Sequence, residues 1–449
     1  MKTGTSDSVR PTRRGLARTA AGLAAAAAGL EMRGRRPALA ADRPGNAPDE
    51  NHGASEPFWG AHQGGILTPA QHHTYAAAFD IVTENRDEVI AIFRAWTAAA
   101  ARMSRGEPVQ PLQRDAATAL PDSNEVVGLV PARLTLTFGF GAGLFIKDGK
   151  DRYGLADQRP DALVDLPKFE GDELEETRTG GDVSVQACAE DAAVAFNAVR
   201  QLARLAHGKV LIRWAQPGFL PATKPNQTPR NPMGFKDGIV NPSIGDPAVM
   251  EQVVWVGADG PAWMRDGTYV VMRRIRIALE HWDRMPLDFQ EQAVGRHKFS
   301  GAPLGGESEF DPADLTAKNR DGDLVIPASA HIRLAAAGSN DGAQILRRPY
   351  AYNDGVGFVA ERWPPWRRGM EYDAGLFFVC YQRDPRAGFI KIFDKLAKFD
   401  MMSQFVTHTG GGLFACPGGI ADGEFVGQRL FEPSHADFPR AVAPALKAS

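Results

Sequence analysis

The densest chemical pattern in the chain is Gly234-Phe235-Lys236-Asp237-Gly238-Ile239-Val240-Asn241-Pro242. Two glycines bracket one aspartate, and a proline ends the run. Glycine lets the backbone approach a flat ligand closely, so such a loop could present a carboxylate to it. Taken alone, the same string also describes an Asp-Gly turn. Other reactive side chains say less. His62, His72 and His73 lie near one another, but no further ligands follow at regular spacing, which argues against a metal site. Cys188, Cys380 and Cys416 are odd in number and form no CxxC or CxxCH string, so a disulfide framework, a zinc ribbon and a thioredoxin-like site are excluded. Each sits in an apolar, strand-like run and reads as a small buried residue. Trp255, Trp263, Trp282, Tyr350, Tyr352 and Tyr372 are oxidisable, although most such residues serve packing.

These groups need a scaffold. A chain of 449 residues suits two ordinary domains with tails. With 43% hydrophobic and 23% charged residues it can bury a large core. A formal charge of −3 supplies no global field for nucleic acid or an anionic membrane.

Residues 1–41 read as an address, not as fold. Arg13-Arg14 is followed by an uncharged, alanine-rich stretch, Thr19 to Leu30, and by a small-x-small site at Ala38-Leu39-Ala40. This is the order of a twin-arginine export signal, with Arg33, Arg35 and Arg36 as a departure from it. The apolar stretch is too short to span a bilayer, and no other segment reads as transmembrane. Export would place the mature protein in the periplasm or outside the cell.

A polar linker, 42–56, precedes a periodic region. Tyr75–Val82 reads as a strand, Asn85–Met103 as an amphipathic helix, Leu134–Phe138 and Val183–Cys188 as strands, Glu190–Leu205 as a helix and Val210–Trp214 as a strand. The second half repeats the order. Tyr269–Ile277 is a strand, a helix-like segment is interrupted near Pro286, Ala330–Leu334 and Leu376–Tyr381 are strands, Arg386–Phe405 is largely helical, and Gly412–Cys416 is a strand. The expected class is α+β, with two ferredoxin-like β-α-β-β-α-β domains and antiparallel sheets, over 57–245 and 246–437 before a tail, 438–449. The irregular stretches 139–180 and 296–328 exceed ordinary connections, as functional loops often do.

The ordered set of short stretches resembles the dye-decolourising peroxidase family over about 57–437, most nearly its exported branch with the deferrochelatase/peroxidase of bacterial iron-uptake systems. The carrying stretches are Gly60–Ile66, Leu136–Gly141, Gly180–Cys188, Gly234–Pro242, Gly267–Arg276, Gly295–Lys298 with Gly301–Leu304, Ala330–Ala335, Ile345–Arg348 and Leu413–Pro417. The resemblance implies one haem b per chain, bound mainly by the second domain, with His331 as the proximal iron ligand. A neutral imidazole nitrogen suits that role, and Asp400 is the candidate partner for its other N–H. Asp237 matches the distal acid, which shuttles a proton between the oxygens of hydrogen peroxide. A carboxylate, with a reference pKa of about 4, can do so under acid conditions, so an acidic optimum is expected. Arg347 matches the distal arginine, whose permanent charge polarises the O–O bond; the adjacent Arg348 competes for this role. The backbone at Gly238, Ile239 and Val240 is expected over the porphyrin edge. Arg333, His297 and Lys298 are candidates for its propionates, and Phe377 and Phe378 for the pocket wall or plain core.

The implied function is reduction of hydrogen peroxide with oxidation of an aromatic, phenolic or dye-like donor. Release of iron from haem is the alternative, and a non-catalytic scaffold or encapsulated cargo is a third class. The resemblance also allows a homodimer.

Overall fold

Side chains of a β-strand alternate between two faces, so a strand buried on both sides can serve two cores at once. That principle organises this protein. The computed structural model describes residues 53–110, 122–224, 227–360 and 368–432. The export segment, most of the linker and the tail lie outside these residues.

The first half runs β1 (His73–Ile81), α1 (Arg86–Met103), β2 (Thr135–Phe140), β3 (Val183–Ala189), α2 (Ala192–Leu205), β4 (Val210–Phe219). Its strands lie in the order β4-β1-β3-β2, all antiparallel. Both helices start on side-chain caps: Asn85 accepts from the N–H groups of Asp87 and Glu88, and Asp191 from those of Ala193 and Val194. Such caps satisfy donors that the first helical turn leaves unpaired.

The second half runs β5 (Thr268–Ile277), α3 (Leu287–Val294), α4 (His331–Ala335), β6 (Leu346–Arg347), β7 (Tyr350–Ala360), β8 (Arg368–Gln382), α5 (Lys391–Phe399), β9 (Val406–Cys416). Four strands repeat the first order as β9-β5-β8-β7, again antiparallel. Two single-pair seams, Phe140 with Ala415 and Phe219 with Ala351, join the halves into one closed antiparallel barrel. Closure leaves few strand edges bare.

One set of faces fills the barrel. Ala76, Ala78, Val270, Met272, Phe377 and Tyr381 belong to that buried cluster. The alternate residues Ala77, Phe79 and Ile81 pack outward against Phe93 and Trp96 of α1 and Leu202 of α2. Trp96 also donates its indole N–H to the Leu202 carbonyl at 2.8 Å. Cys188, Cys380 and Cys416 are all buried.

The second half departs from expectation twice. Ala330–Leu334 is not a strand; His331–Ala335 forms a short helix. Its alternation of small apolar and polar residues fits either element, because over five residues a period of two cannot be told from one helical turn. The missing strand is β7, whose Asn353-Asp354-Gly355 reads as a turn but sits inside the strand, where the register with β8 shifts between Asn353 and Val356. A bulge absorbs such residues without ending the strand. Beyond the end of β2 the stretch 139–180 holds only short helical turns, and 296–328 holds no helix or strand. No described helix is long and apolar enough to cross a membrane.

Candidate active site

The Gly234–Pro242 loop is held from below by an aromatic anchor. Phe235 is buried with Met233, Trp282, Val294 and Phe405, its ring 6.1 Å from that of Trp282. The Trp282 indole N–H donates to the Met233 carbonyl at 3.0 Å. Lys236 pairs with Glu309, which also accepts from Thr228. With Phe235 turned into the core and Lys236 tied down, Asp237 is free to face the other way. Gly238 has φ +91, and a Cβ there would meet nothing within 4 Å. The backbone thus requires glycine and leaves open space beside it.

Asp237 meets Arg347, whose Nη1 donates to Oδ1 at 3.1 Å. Arg347 stands on β6, the two-residue strand paired to Tyr381 and Cys380 of β8. The next residue points the opposite way. Arg348 is buried, donating to the Thr68 carbonyl and the Gln71 side chain. The structure therefore separates the two arginines: Arg347 faces the carboxylate, and Arg348 holds the two halves together.

Asn241, which the sequence reading left without a role, joins loop to strand. Its Nδ2 donates to the Arg347 carbonyl and its Oδ1 accepts from the Arg347 N–H, both at 2.9 Å. Its place in the glycine-bracketed run was the available signal. Asn241→Ala is expected to lower stability by about 1–3 kcal/mol, because both Arg347 backbone groups lose their partner. Urea unfolding checks this, and Asn241→Asp, which keeps only the acceptor, should fall between. Glu309, also unassigned, lies in the irregular 296–328 stretch, where no local pattern marks it.

His331 opens α4, and its Nδ1 lies 2.6 Å from Oδ2 of Asp400. Asp400 follows α5, is buried, and its Oδ1 also accepts from the Met402 N–H at 2.8 Å. A carboxylate at Nδ1 fixes the ring so that Nε2 is the nitrogen free for a metal. Burial alone would push the His331 imidazole down. The charge and hydrogen bond of Asp400 outweigh it, and the net direction is upward. Arg347 also lowers and Asp237 also raises it, so both distal candidates act on the imidazole through space. The fold thus forms two contacts between distant residues, His331 with Asp400 and Arg347 with Asp237.

The remaining candidates are more dispersed. Ile239 is half-buried and Val240 is exposed. His297 Nδ1 lies 2.9 Å from Glu291. Lys298 bonds to Gln290 at 2.6 Å and sits over the Phe235 ring. Arg333 donates to the carbonyls of Ile326 and Pro327. Phe377 packs inside the barrel and Phe378 against the outer core. His62 stacks on Trp255, and His72 contacts Glu190. Among the described residues no three histidine, cysteine or acidic side chains are grouped to hold a metal ion.

Asp237, Gly238 and Arg347 line an open cleft of about 220 Å³. Its other walls come from both halves, including Pro69, Leu220, Ile244 and Leu376.

Comparison with known proteins identifies the family. Residues 63–220 match the family described as Dyp-type peroxidase, N-terminal, and residues 228–421 match Dyp-type peroxidase, C-terminal. The chain is 38% identical over 387 residues to the dye-decolorizing peroxidase of Thermobifida fusca, covering 83% of this chain and 84% of that protein. It is 35% identical over 388 residues to the deferrochelatase of Yersinia pseudotuberculosis, covering 84% and 85%. Ferric DtpA from Streptomyces lividans superposes with a TM-score of 0.77 at 40% identity, over 86% of this chain and 100% of that one. A DyP-type peroxidase from Cellulomonas bogoriensis gives 0.75 at 36% identity, over 85% and 99%. With both halves matched in order and at this identity, the chain belongs to the DyP-type peroxidase family of haem enzymes.

Proposed function

We propose that this peroxidase binds one haem b per chain, mainly through its second half, and reduces hydrogen peroxide while oxidising phenolic or dye-like donors. The observation that carries this reading is that the fold forms two contacts between residues far apart in sequence, His331 with Asp400 and Arg347 with Asp237. The donor set suits the cofactor: an imidazole with Nδ1 engaged, and a glycine with open space beside it. His331 would hold the iron through Nε2, and the Gly238–Val240 backbone would border the ring. His297, Lys298 and Arg333 are the cationic candidates for its propionates. When bound, the haem supplies a redox-active iron that takes oxidising equivalents from peroxide.

Asp237 takes the proton from one peroxide oxygen and returns it to the other, so that water departs. Arg347 holds a fixed positive charge where negative charge grows as the O–O bond lengthens. Its bond to Asp237 keeps both groups aimed at one place. A carboxylate can still serve as a base in mildly acid solution, where an imidazole would be protonated, so activity is expected to favour mildly acid pH. Among the oxidisable residues singled out above, Tyr372 is 51% exposed, whereas Tyr352 and the three tryptophans are at most 3% exposed. Tyr372 is therefore the member of that set open to donors too large to enter.

Asp400→Asn should leave peroxide chemistry possible but weaken haem retention about 10–100-fold, because an amide orients the imidazole less firmly. Apo-protein transfer kinetics measure that directly. We also propose export by the twin-arginine route, from the Arg13-Arg14 segment, to the periplasm or beyond, and, from the family resemblance, a homodimer.

Release of iron from haem is a second reading, favoured by the 35% identity to a protein named deferrochelatase. Incubation with haem, followed by assay for free protoporphyrin and for peroxide-dependent dye oxidation, separates the two. Dye turnover without protoporphyrin supports the peroxidase reading, and iron release without turnover overturns it. Purified protein with no Soret band after haem supplementation overturns both.

A further inference from the structure

The helix that carries His331 runs only from His331 to Ala335. So short a helix cannot hold its own place, and its orientation depends on ties to its surroundings. Just before it, the Ser329 carbonyl accepts from the Met401 N–H at 3.1 Å, next to Asp400 in the chain. Along it, Ile332 packs on Gly295, where a Cβ would lie 2.6 Å from Ile332 Cγ1. At its end stands Asn340.

Asn340 is 1% exposed. Its Nδ2 donates to the carbonyls of Leu334 at 2.7 Å and Ala336 at 2.9 Å. The last carbonyls of a helix find no partner within it, and buried ones need a donor from elsewhere. Both amide hydrogens serve that need. Among the described residues nothing donates to the buried Asn340 Oδ1. The side chain is thus held by what it gives, at the cost of an unpaired acceptor. The same turn also reaches the other helix. Lys395 of α5 donates to the Ser339 carbonyl, and Asp400 follows α5 directly. One turn therefore grips the helix that bears the imidazole and the helix that leads to its carboxylate.

We propose that Asn340 is a positioning residue for His331: it sets the angle of α4 against α5 and so the 2.6 Å contact of His331 Nδ1 with Asp400. The inference rests on the reading of His331 as the iron ligand. With the Ser329–Met401 bond as pivot, loss of the two Asn340 bonds frees the far end of α4, and the Nδ1 contact lengthens. A weaker hydrogen bond at Nδ1 makes the imidazole a poorer donor to iron.

Resonance Raman spectroscopy of the reduced, haem-loaded enzyme reads the iron–histidine stretch directly. Asn340→Ala is expected to move that band to lower frequency and to speed haem dissociation about tenfold, the lower end of the effects of outer partners. Asn340→Ser, which keeps one donor, should fall between and carries the comparison if the alanine variant does not fold. Asn197→Ala is the control. It removes another buried amide, one in the first half that donates to Ser123 and Glu125, and should lower the urea midpoint while leaving the band in place. In an Asp400→Asn background, Asn340→Ala should add little further shift, because the contact it acts through is already weakened. A band unmoved by Asn340→Ala, moved equally by Asn197→Ala, or shifted in full on top of Asp400→Asn overturns the proposal and leaves His331 on the iron. Failure of both position-340 variants to fold also overturns it, since the side chain would then serve the fold alone. Wild-type haem protein with no iron–histidine band, or with a band that survives His331→Ala, overturns the ligand assignment and this proposal together.

Discussion

Asp237→Asn is expected to lower kcat/KM for hydrogen peroxide by about 10²–10⁴-fold, the usual contribution of a positioned acid-base group. The substitution is nearly isosteric. Its Oδ1 can still accept from Arg347 Nη1, which lies 3.1 Å away in the wild type, and the loop keeps its anchors at Phe235, Lys236 and Asn241. Haem content should therefore match the wild type while proton transfer fails, because a neutral amide has no basic site near the required range. Arg347→Ala should cost about 10²–10³-fold, the scale of losing one preorganised charge in a desolvated site. Asn241 grips the backbone of Arg347, not its side chain, so the strand and loop should stay together in that variant. Stopped-flow absorbance on mixing with peroxide, normalised to bound haem, reads both rates. Wild-type rates in both variants would show that the distal face has been assigned to the wrong residues.

The second large effect concerns the other side of the site. His331→Ala is expected to weaken haem binding by more than the roughly 10–100-fold assigned to its outer partner Asp400, because it removes the iron-binding nitrogen itself. The purified variant should show a weak or displaced Soret band, and added imidazole should restore part of the wild-type spectrum by filling the vacated volume. Folding should be little disturbed at the helix itself. Alanine is a better helix former than histidine, His331 is the first residue of its short helix, and its side chain is 34% exposed. The cost falls on Asp400, whose buried carboxylate keeps only the Met402 N–H as partner. A full, unshifted Soret band in His331→Ala would remove the iron from this histidine.

Much of the scaffold was legible locally. The strands β1, β3, β5 and β9 alternate or run apolar in ways that a few neighbouring residues determine, and Asn85 and Asp191 announce the starts of α1 and α2 through hydrogen bonds only two or three residues long. The strand β7 was hidden because its Asn353-Asp354-Gly355 carries turn chemistry, which a register shift against β8 accommodates. The helix at His331 was hidden because five residues are too few to display a period.

For the site, the chain drew attention to Asp237 by its glycine-bracketed run, family resemblance marked His331 and Arg347 at unrelated points along it, and the need of a ligating histidine for an outer partner pointed to Asp400. Their chemistry follows from side-chain type: one imidazole, two carboxylates and a guanidinium would have these capacities anywhere. Which of two adjacent arginines faces the carboxylate, which partner holds the imidazole and what walls the cleft depended on the fold. The Asp237–Arg347 contact joins residues 110 apart and the His331–Asp400 contact residues 69 apart. Local preferences act over a few residues, so pairs at such separations exist only after strand pairing and core packing have set the direction of each face.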